Sequence, residues 1–132
     1  MDLRILEIAS NTENNKVIDN FTHRSKNKNP ICGDEMEISL VVKNDTVIDM
    51  GYQCKSSIYC QASVSLLSQK IKNKNLDEIK SFLKSCENIF ENTKVVLEKN
   101  WNGFFELFDK KNISRKECLL LPLRTVVKAL KR

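Results

Sequence analysis

The chain has 132 residues, of which 41% are hydrophobic and 30% are charged, and its formal net charge is +5. This length predicts one domain, and this composition is typical of a globular protein, not of a disordered one. No apolar run approaches the roughly 18 residues that a membrane-spanning helix needs. The N-terminal residues MDLRILEIAS have an early acid and no long apolar stretch, so we do not expect them to be a secretory signal. We therefore expect a cytoplasmic protein with reduced thiols and no membrane partner.

The five cysteines are an odd number, which argues against a disulfide framework in a reducing compartment. We therefore expect the cysteines to bind a metal, take part in sulfur chemistry or pack in the core. The positive charge is a weaker indicator, because only residues 23–29 and the C-terminal KALKR are locally basic. No aromatic RNA-binding motif or helix-turn-helix spacing accompanies these residues, so we expect solvated lysine faces and no nucleic-acid partner.

The first half of the chain predicts a short helix and a β-hairpin. Residues 3–9 have amphipathic helical spacing, and the polar residues that follow are typical of a loop up to about Asn29. Apolar and polar residues alternate over 35–42, which predicts a half-buried strand. The sequence KNDT at 43–46 indicates a tight turn, and Val47–Gln53 is the expected return strand.

The second half of the chain predicts helices only. We expect them over residues 58–72, 76–90 and 93–108 and through the final apolar segment 119–130. Ser56 and Ser57 are candidate caps of the first of these helices. Pro122 fits the last helix only if that helix begins nearby, because proline costs about 3 kcal/mol beyond the first turn. Strands followed by helices predict an α+β domain with helices packed on one face of a small antiparallel sheet.

The strongest chemical signal is NPICGD at residues 29–34. Proline presets an extended entry, and glycine allows a tight turn that can aim the Cys32 thiol and the Asp34 carboxylate at one point. A thiolate holds iron or zinc firmly, whereas a carboxylate binds more weakly and exchanges more readily. This spacing indicates half of a mixed metal site, and an ordinary loop containing a cysteine is the alternative.

Three motifs occur in a familiar order: NPICGD before a hairpin, QASVS at a helix start, and RKEC before the last helix. In these motifs the chain resembles the NifU N-terminal/IscU/SufU family of iron–sulfur cluster assembly scaffolds. The resemblance extends from about Leu3 to Leu130, and it implies one SufU/IscU-like domain over residues 1–132. The long helical stretch containing NLDEIKSFLKSC resembles the SufU-like branch. The LPPVK-type segment by which IscU-like members engage a chaperone is absent before Cys118.

The resemblance implies a ligand set and a function. Cys32 and Cys118 match the first and third family cysteines, and Asp34 matches the aspartate that joins them around zinc or a [2Fe–2S] cluster. The implied function is that of a scaffold, not a conventional enzyme. It would accept sulfur from a cysteine desulfurase, with Cys32 as the candidate acceptor, bind iron, hold a transient [2Fe–2S] cluster and pass it to recipient apo iron–sulfur proteins. A zinc-dependent sulfur-transfer partner of the desulfurase and a cluster-deficient regulatory paralogue are the alternatives.

The second family cysteine has no direct match here. Its position falls on Ser57 in the SufU-like alignment and on Lys55 in the IscU-like one. Cys60, in the first turn of a predicted helix, is the favoured replacement because a helix N-terminus lowers a thiol pKa. Cys54, at the end of a strand, is the alternative. The third possibility is that neither thiol binds, and that Ser57, water or a partner's group completes the site.

Other noteworthy residues have structural interpretations. Cys86 lies on the apolar stripe of a predicted helix, and Trp101 stands among phenylalanines, so both are expected in the core. His23 is a lone histidine in a predicted polar loop and is not expected to bind metal. No P-loop, dinucleotide fingerprint or Ser/His/Asp set is present, which argues against a nucleotide-binding protein, a dehydrogenase or a conventional hydrolase.

Overall fold

The computed structural model describes residues 3–90 and 101–131. Three antiparallel strands form a sheet in the order β1–β2–β3. The strands are β1 (His23–Lys28), β2 (Glu35–Lys43) and β3 (Thr46–Lys55), and the helices are α1 (Leu3–Ala9), α2 (Ile58–Lys70), α3 (Leu76–Asn88), α4 (Phe104–Leu107) and α5 (Lys116–Leu130). A 3₁₀ helix, Lys110–Arg115, leads into α5. Helix α5 packs on β1 and β2, and α2 packs on β3. The predicted α+β fold is confirmed.

The hairpin forms as its alternating pattern predicts. Residues of β2 and β3 that pair directly place their apolar side chains on the same buried face: Met36 with Cys54, Ile38 with Tyr52, and Leu40 with Met50. Asn44 and Asp45 turn the chain with φ of 52° and 58°. Two consecutive positive φ values are what a two-residue hairpin turn requires. The strands extend slightly beyond the predicted bounds.

The predicted loop up to about Asn29 is wrong over His23–Lys28, which is the edge strand β1. Its sequence HRSKNK contains no apolar residue, so it has no two-residue hydrophobic period to recognise. Backbone pairing with β2 holds it instead. Ser25 adds an anchor, because its buried hydroxyl donates a hydrogen bond to the Thr125 carbonyl of α5 at 2.6 Å. His23 therefore begins a strand and does not lie in a loop.

The predicted helices agree with α1, α2 and α3, although α2 and α3 each end two residues earlier than expected. The helix predicted over 93–108 lies partly outside the described residues, and the described part contains only the four-residue α4. Trp101 and Cys86 are buried in the core, as predicted. The Trp101 ring stacks on Phe82 with ring centroids 3.8 Å apart. Within the described ranges, no helix combines the length and apolarity that crossing a membrane demands.

Helix α5 begins at Lys116, so the prediction that it begins near Pro122 is wrong. Proline has no N–H, so the carbonyl of Cys118, four positions before Pro122, loses its usual helical partner. Two hydroxyls donate to other carbonyls in this part of the helix: Ser63 of α2 to Leu119 at 2.6 Å, and Thr125 to Leu121 at 2.7 Å. Burial against α2 and the sheet keeps the helix continuous through the proline, since tertiary packing outweighs local propensity.

Candidate metal centre

Two side chains from the β1–β2 loop and one from α5 meet at one end of the sheet. The Cys32 sulfur, a carboxylate oxygen of Asp34 and the Cys118 sulfur all lie within 4.8 Å of one another. Cys32 is exposed, whereas Asp34 and Cys118 are each 6% exposed. In the part of the chain that the structure describes, no other three His, Cys, Asp or Glu side chains form such a group. Thiolate with carboxylate is a donor set that suits iron or zinc.

The β1–β2 loop takes the tight conformation that NPICGD predicts. The Gly33 N–H donates to the Asn29 carbonyl at 2.8 Å, and the Asn29 N–H donates to the Asp34 carbonyl at 2.9 Å. The Asn29 side chain, itself buried, accepts from the Ile31 N–H at 2.8 Å. Gly33 has φ of 75°, and the space beside its Cα is empty. Backbone conformation, not crowding, therefore favours glycine between Cys32 and Asp34.

Ser57 holds the Asp34 carboxylate through both of its oxygens. The Ser57 N–H donates to Oδ1 at 3.0 Å, and the Ser57 hydroxyl donates to Oδ2 at 3.1 Å. Ser57 is also the N-cap of α2, where its Oγ accepts a long hydrogen bond from the Cys60 N–H at 3.4 Å. The carboxylate thus lies at a helix N-terminus, where the peptide dipoles favour negative charge. Sequence reasoning identified Ser57 as a cap but missed this contact, since serine is a common cap with no metal site nearby.

Burial raises the pKa of the Cys118 thiol to about 11, and the neighbouring Cys32 thiol and Asp34 charge raise it as well. The nearby Ser57 hydroxyl opposes this shift. Near neutral pH the Cys118 sulfur is therefore protonated while no cation is present. A bound cation favours the thiolate, so metal binding at this position releases a proton.

The structure does not bring Cys60 or Cys54 into the three-residue group. The Cys60 side chain is fully buried, and this burial raises its pKa well above the ordinary value, while the nearby Ser56 hydroxyl opposes the shift. Cys54 is half-buried beside Met36 at the end of β3. Cys60 lies near enough to the centre for the Asp34 charge to raise its pKa further. The residue that touches the centre from this segment is Ser57.

Residues 2–99 match the family of NifU-like N-terminal domains. The chain belongs to this family. The resemblance found in its motifs is thereby confirmed.

Several relatives share the whole domain. The chain is 27% identical, over 97% of its own length and 90% of the relative's, to the iron–sulfur cluster assembly scaffold protein IscU of Thermotoga maritima. It superimposes with a TM-score of 0.87 and 24% identity on a proposed SUF-system iron–sulfur cluster assembly scaffold protein from Fervidobacterium islandicum, covering 98% of this chain and 96% of that one. For a NifU-like N-terminal domain from Brucella abortus, the TM-score is 0.89 at 19% identity, with 98% and 91% covered. At these identities the two structures bear on the fold alone.

Proposed function

We propose that this chain is an iron–sulfur cluster assembly scaffold. It accepts sulfur from a cysteine desulfurase, binds iron, holds a transient [2Fe–2S] cluster as cargo and passes it to recipient apo iron–sulfur proteins. The observation that carries this proposal is the convergence of Cys32, Asp34 and Cys118 within 4.8 Å in a NifU-like domain. The named role of the Thermotoga maritima relative, which the chain covers almost end to end, supports it.

Cys32 is the proposed sulfur acceptor because it is the exposed thiol of the group. In the transfer its thiolate attacks the outer sulfur of the persulfide on the desulfurase cysteine. A new S–S bond forms on Cys32, the S–S bond of the donor breaks, and the donor cysteine leaves as a thiolate. Reduction of the transferred sulfur to sulfide requires an electron pair from an external reductant, a thiol or an electron-transfer protein.

Asp34 and Cys118 are the two proposed ligands that are buried. The carboxylate is the exchangeable donor, because oxygen ligands hold iron less firmly than thiolates do. A scaffold must release its cargo, and a site made only of thiolates would hold the cluster more tightly. The cytoplasmic location expected from the sequence fits this chemistry and stays a prediction.

Anaerobic reconstitution with ferrous iron and sulfide tests the proposal. We expect the visible absorbance of a [2Fe–2S] cluster in the wild type and its loss in Cys32→Ser and in Cys118→Ser. Cys86→Ala is the matched control, because it removes a buried thiol that lies outside the group. A wild type that gains no visible absorbance, or site variants that reconstitute like the control, would refute the scaffold function.

A zinc-dependent sulfur-transfer partner of the desulfurase is the second candidate, because two thiols and a carboxylate also suit Zn²⁺. Metal analysis after anaerobic purification separates the two candidates. Stoichiometric zinc, with no cluster formed on reconstitution, would favour the zinc protein. A chain that binds neither, and that keeps its desulfurase binding in Cys32→Ala, would be the regulatory paralogue.

The fourth ligand predicted from the sequence, Cys60 with Cys54 as its alternative, stays a prediction. Comparing the cluster absorbance of Cys60→Ser and Cys54→Ser with that of the wild type tests each thiol separately.

A further inference from the structure

We propose that the centre is an open site with two thiolates. Cys32, Asp34 and Cys118 supply its protein ligands, while Ser57 fixes the carboxylate and occupies the side from which a third thiol would come. The remaining ligand position is left to a sulfur donor from outside the chain. This inference rests on the proposed function and defines its ligand set more closely.

Ser57 binds the Asp34 side chain and lies near the Cys118 sulfur. Its N–H and its hydroxyl satisfy one oxygen each of Asp34, at 3.0 and 3.1 Å, so the carboxylate cannot rotate without breaking both bonds. Each carboxylate oxygen keeps a further lone pair for a cation. The same hydroxyl lies close enough to the Cys118 sulfur to lower the pKa of that thiol. Ser57 is therefore a positioning residue that arranges the ligands before a metal arrives.

Cys60 is held away from the centre by two features of α2. Its backbone N–H bonds to the Ser57 capping oxygen, and its side chain is fully buried in the core next to Ser56. Drawing its sulfur to the centre would take the side chain out of its fully buried position in the core. The move would also leave a cavity in a closely packed interior.

Cys54 is held by the sheet. Its residue pairs with Met36 on the buried face of the hairpin, and its side chain packs against the core. Pairing continues through Lys55, which lies between Cys54 and the start of α2. Reaching the centre would therefore require the end of the β2–β3 ladder to separate.

A tetrahedral ion with three protein ligands retains a position for an exogenous group, as catalytic zinc sites do. Thiolate partners are preferred by iron and zinc over neutral oxygen ones. An external thiol or persulfide can therefore bind there as a thiolate, with its proton lost to solvent and no change in oxidation state. Cys32 is the exposed member of the group, so the incoming sulfur has access from solvent on its side.

Cobalt substitution tests the inference without relying on cluster assembly. The full-length apo protein is loaded anaerobically with Co²⁺, and the sulfur-to-cobalt charge-transfer absorbance counts the bound thiolates. We expect two in the wild type and, after saturation with 2-mercaptoethanol, an increase of about one half as a third thiolate binds. Ser57→Cys should show three thiolates before the thiol is added and no response to it.

Four further variants accompany this comparison. Ser56→Cys adds the same thiol one residue earlier, at a side chain that makes no hydrogen bond to Asp34, and should behave like the wild type. Cys60→Ser and Cys54→Ser should leave the thiolate count at two. Ser57→Ala should keep two thiolates but lose about 10-fold or more in Co²⁺ affinity, the usual effect of removing a group that orients a ligand.

Three thiolates in wild-type protein, with one lost in Cys60→Ser or Cys54→Ser, would overturn the open site while leaving the centre intact. Two thiolates with no response to 2-mercaptoethanol would also overturn it. Should Ser57→Cys fail to fold, the thiol titration of the wild type and these two variants still decide the question. By contrast, Cys32→Ser and Cys118→Ser variants that keep the wild-type absorbance would show that the centre itself, and with it the proposed function, is wrong.

Discussion

Zinc binding by this chain should depend on pH through Cys118. Its pKa of about 11 means that the thiol is protonated throughout the range between about pH 6 and about pH 8. Each zinc ion that takes the Cys118 thiolate must therefore displace one proton at every pH in this range. One displaced proton changes the apparent association constant about tenfold per pH unit, so this residue alone contributes a rise of about 100-fold over the range.

The assay is competition with a chelator of known affinity at a series of pH values. The slope of log affinity against pH should be about one unit smaller for Cys118→Ser than for the wild type, because serine has no proton to release in this range. Proton release per zinc, measured with a pH indicator in weak buffer, should fall by about one in the same variant. Cys86→Ala, which removes a buried thiol outside the group, should keep the wild-type slope.

An equal slope in the wild type and in Cys118→Ser would refute this reasoning. It would mean either that Cys118 is already a thiolate in the free protein or that it does not bind the metal. The zinc affinity at a fixed pH separates these two causes, because both leave the proton count unchanged. Loss of a thiolate ligand weakens zinc binding in Cys118→Ser, whereas loss of an unbound thiol leaves the affinity equal to that of the wild type.

Three further predictions concern stability and can be measured by urea denaturation followed by circular dichroism. Gly51→Ala should destabilise the fold by about 1–3 kcal/mol, because the new Cβ would lie 2.6 Å from the Lys16 carbonyl oxygen; an unchanged midpoint would contradict that close approach. Trp101→Ala should cost about 3–5 kcal/mol, because it removes a buried side chain that also stacks on Phe82, and a cost below about 1 kcal/mol would argue against burial. Burial raises the pKa of Cys86 in the folded chain, so stability should fall as pH rises above the ordinary thiol value of 9.0; Cys86→Ala should reduce this fall by about 1.4 kcal/mol at about pH 10, and an identical pH profile would exclude the contribution.

The elements with a clear hydrophobic period could be predicted from the sequence, whereas β1 could not. Its six residues carry no apolar side chain, and only pairing with β2 and the Ser25 contact to α5 define it as a strand. The start of α5 was also beyond local rules, because Pro122 lies inside a helix that tertiary packing stabilises. Propensity and periodicity describe local preferences, and both of these features depend on contacts between distant segments.

The candidate site divides in the same way. The turn in NPICGD indicated that Cys32 and Asp34 converge, and the order of the family motifs indicated Cys118, which the structure brings beside them. The sequence could not decide whether Cys54, Cys60 or neither belongs to the centre, because the direction of a side chain depends on the core around it. A serine at a helix start, such as Ser57, indicates a cap. It does not indicate that the Asp34 carboxylate, from a loop distant in sequence, binds there.

The position of each proposed ligand relative to the regular elements explains how the candidate site can be both fixed and open. Asp34 directly precedes β2, and Cys118 is the third residue of α5, so both are held by rigid neighbours and are nearly buried. Cys32 lies in the β1–β2 loop, two residues before Asp34, and is exposed, with Gly33 between the two. A donor of sulfur can therefore approach Cys32 without disturbing the other two ligands. For the proposed scaffold, this asymmetry favours sulfur acceptance at Cys32, while the buried Asp34 remains the weaker, exchangeable oxygen donor beside the Cys118 thiolate.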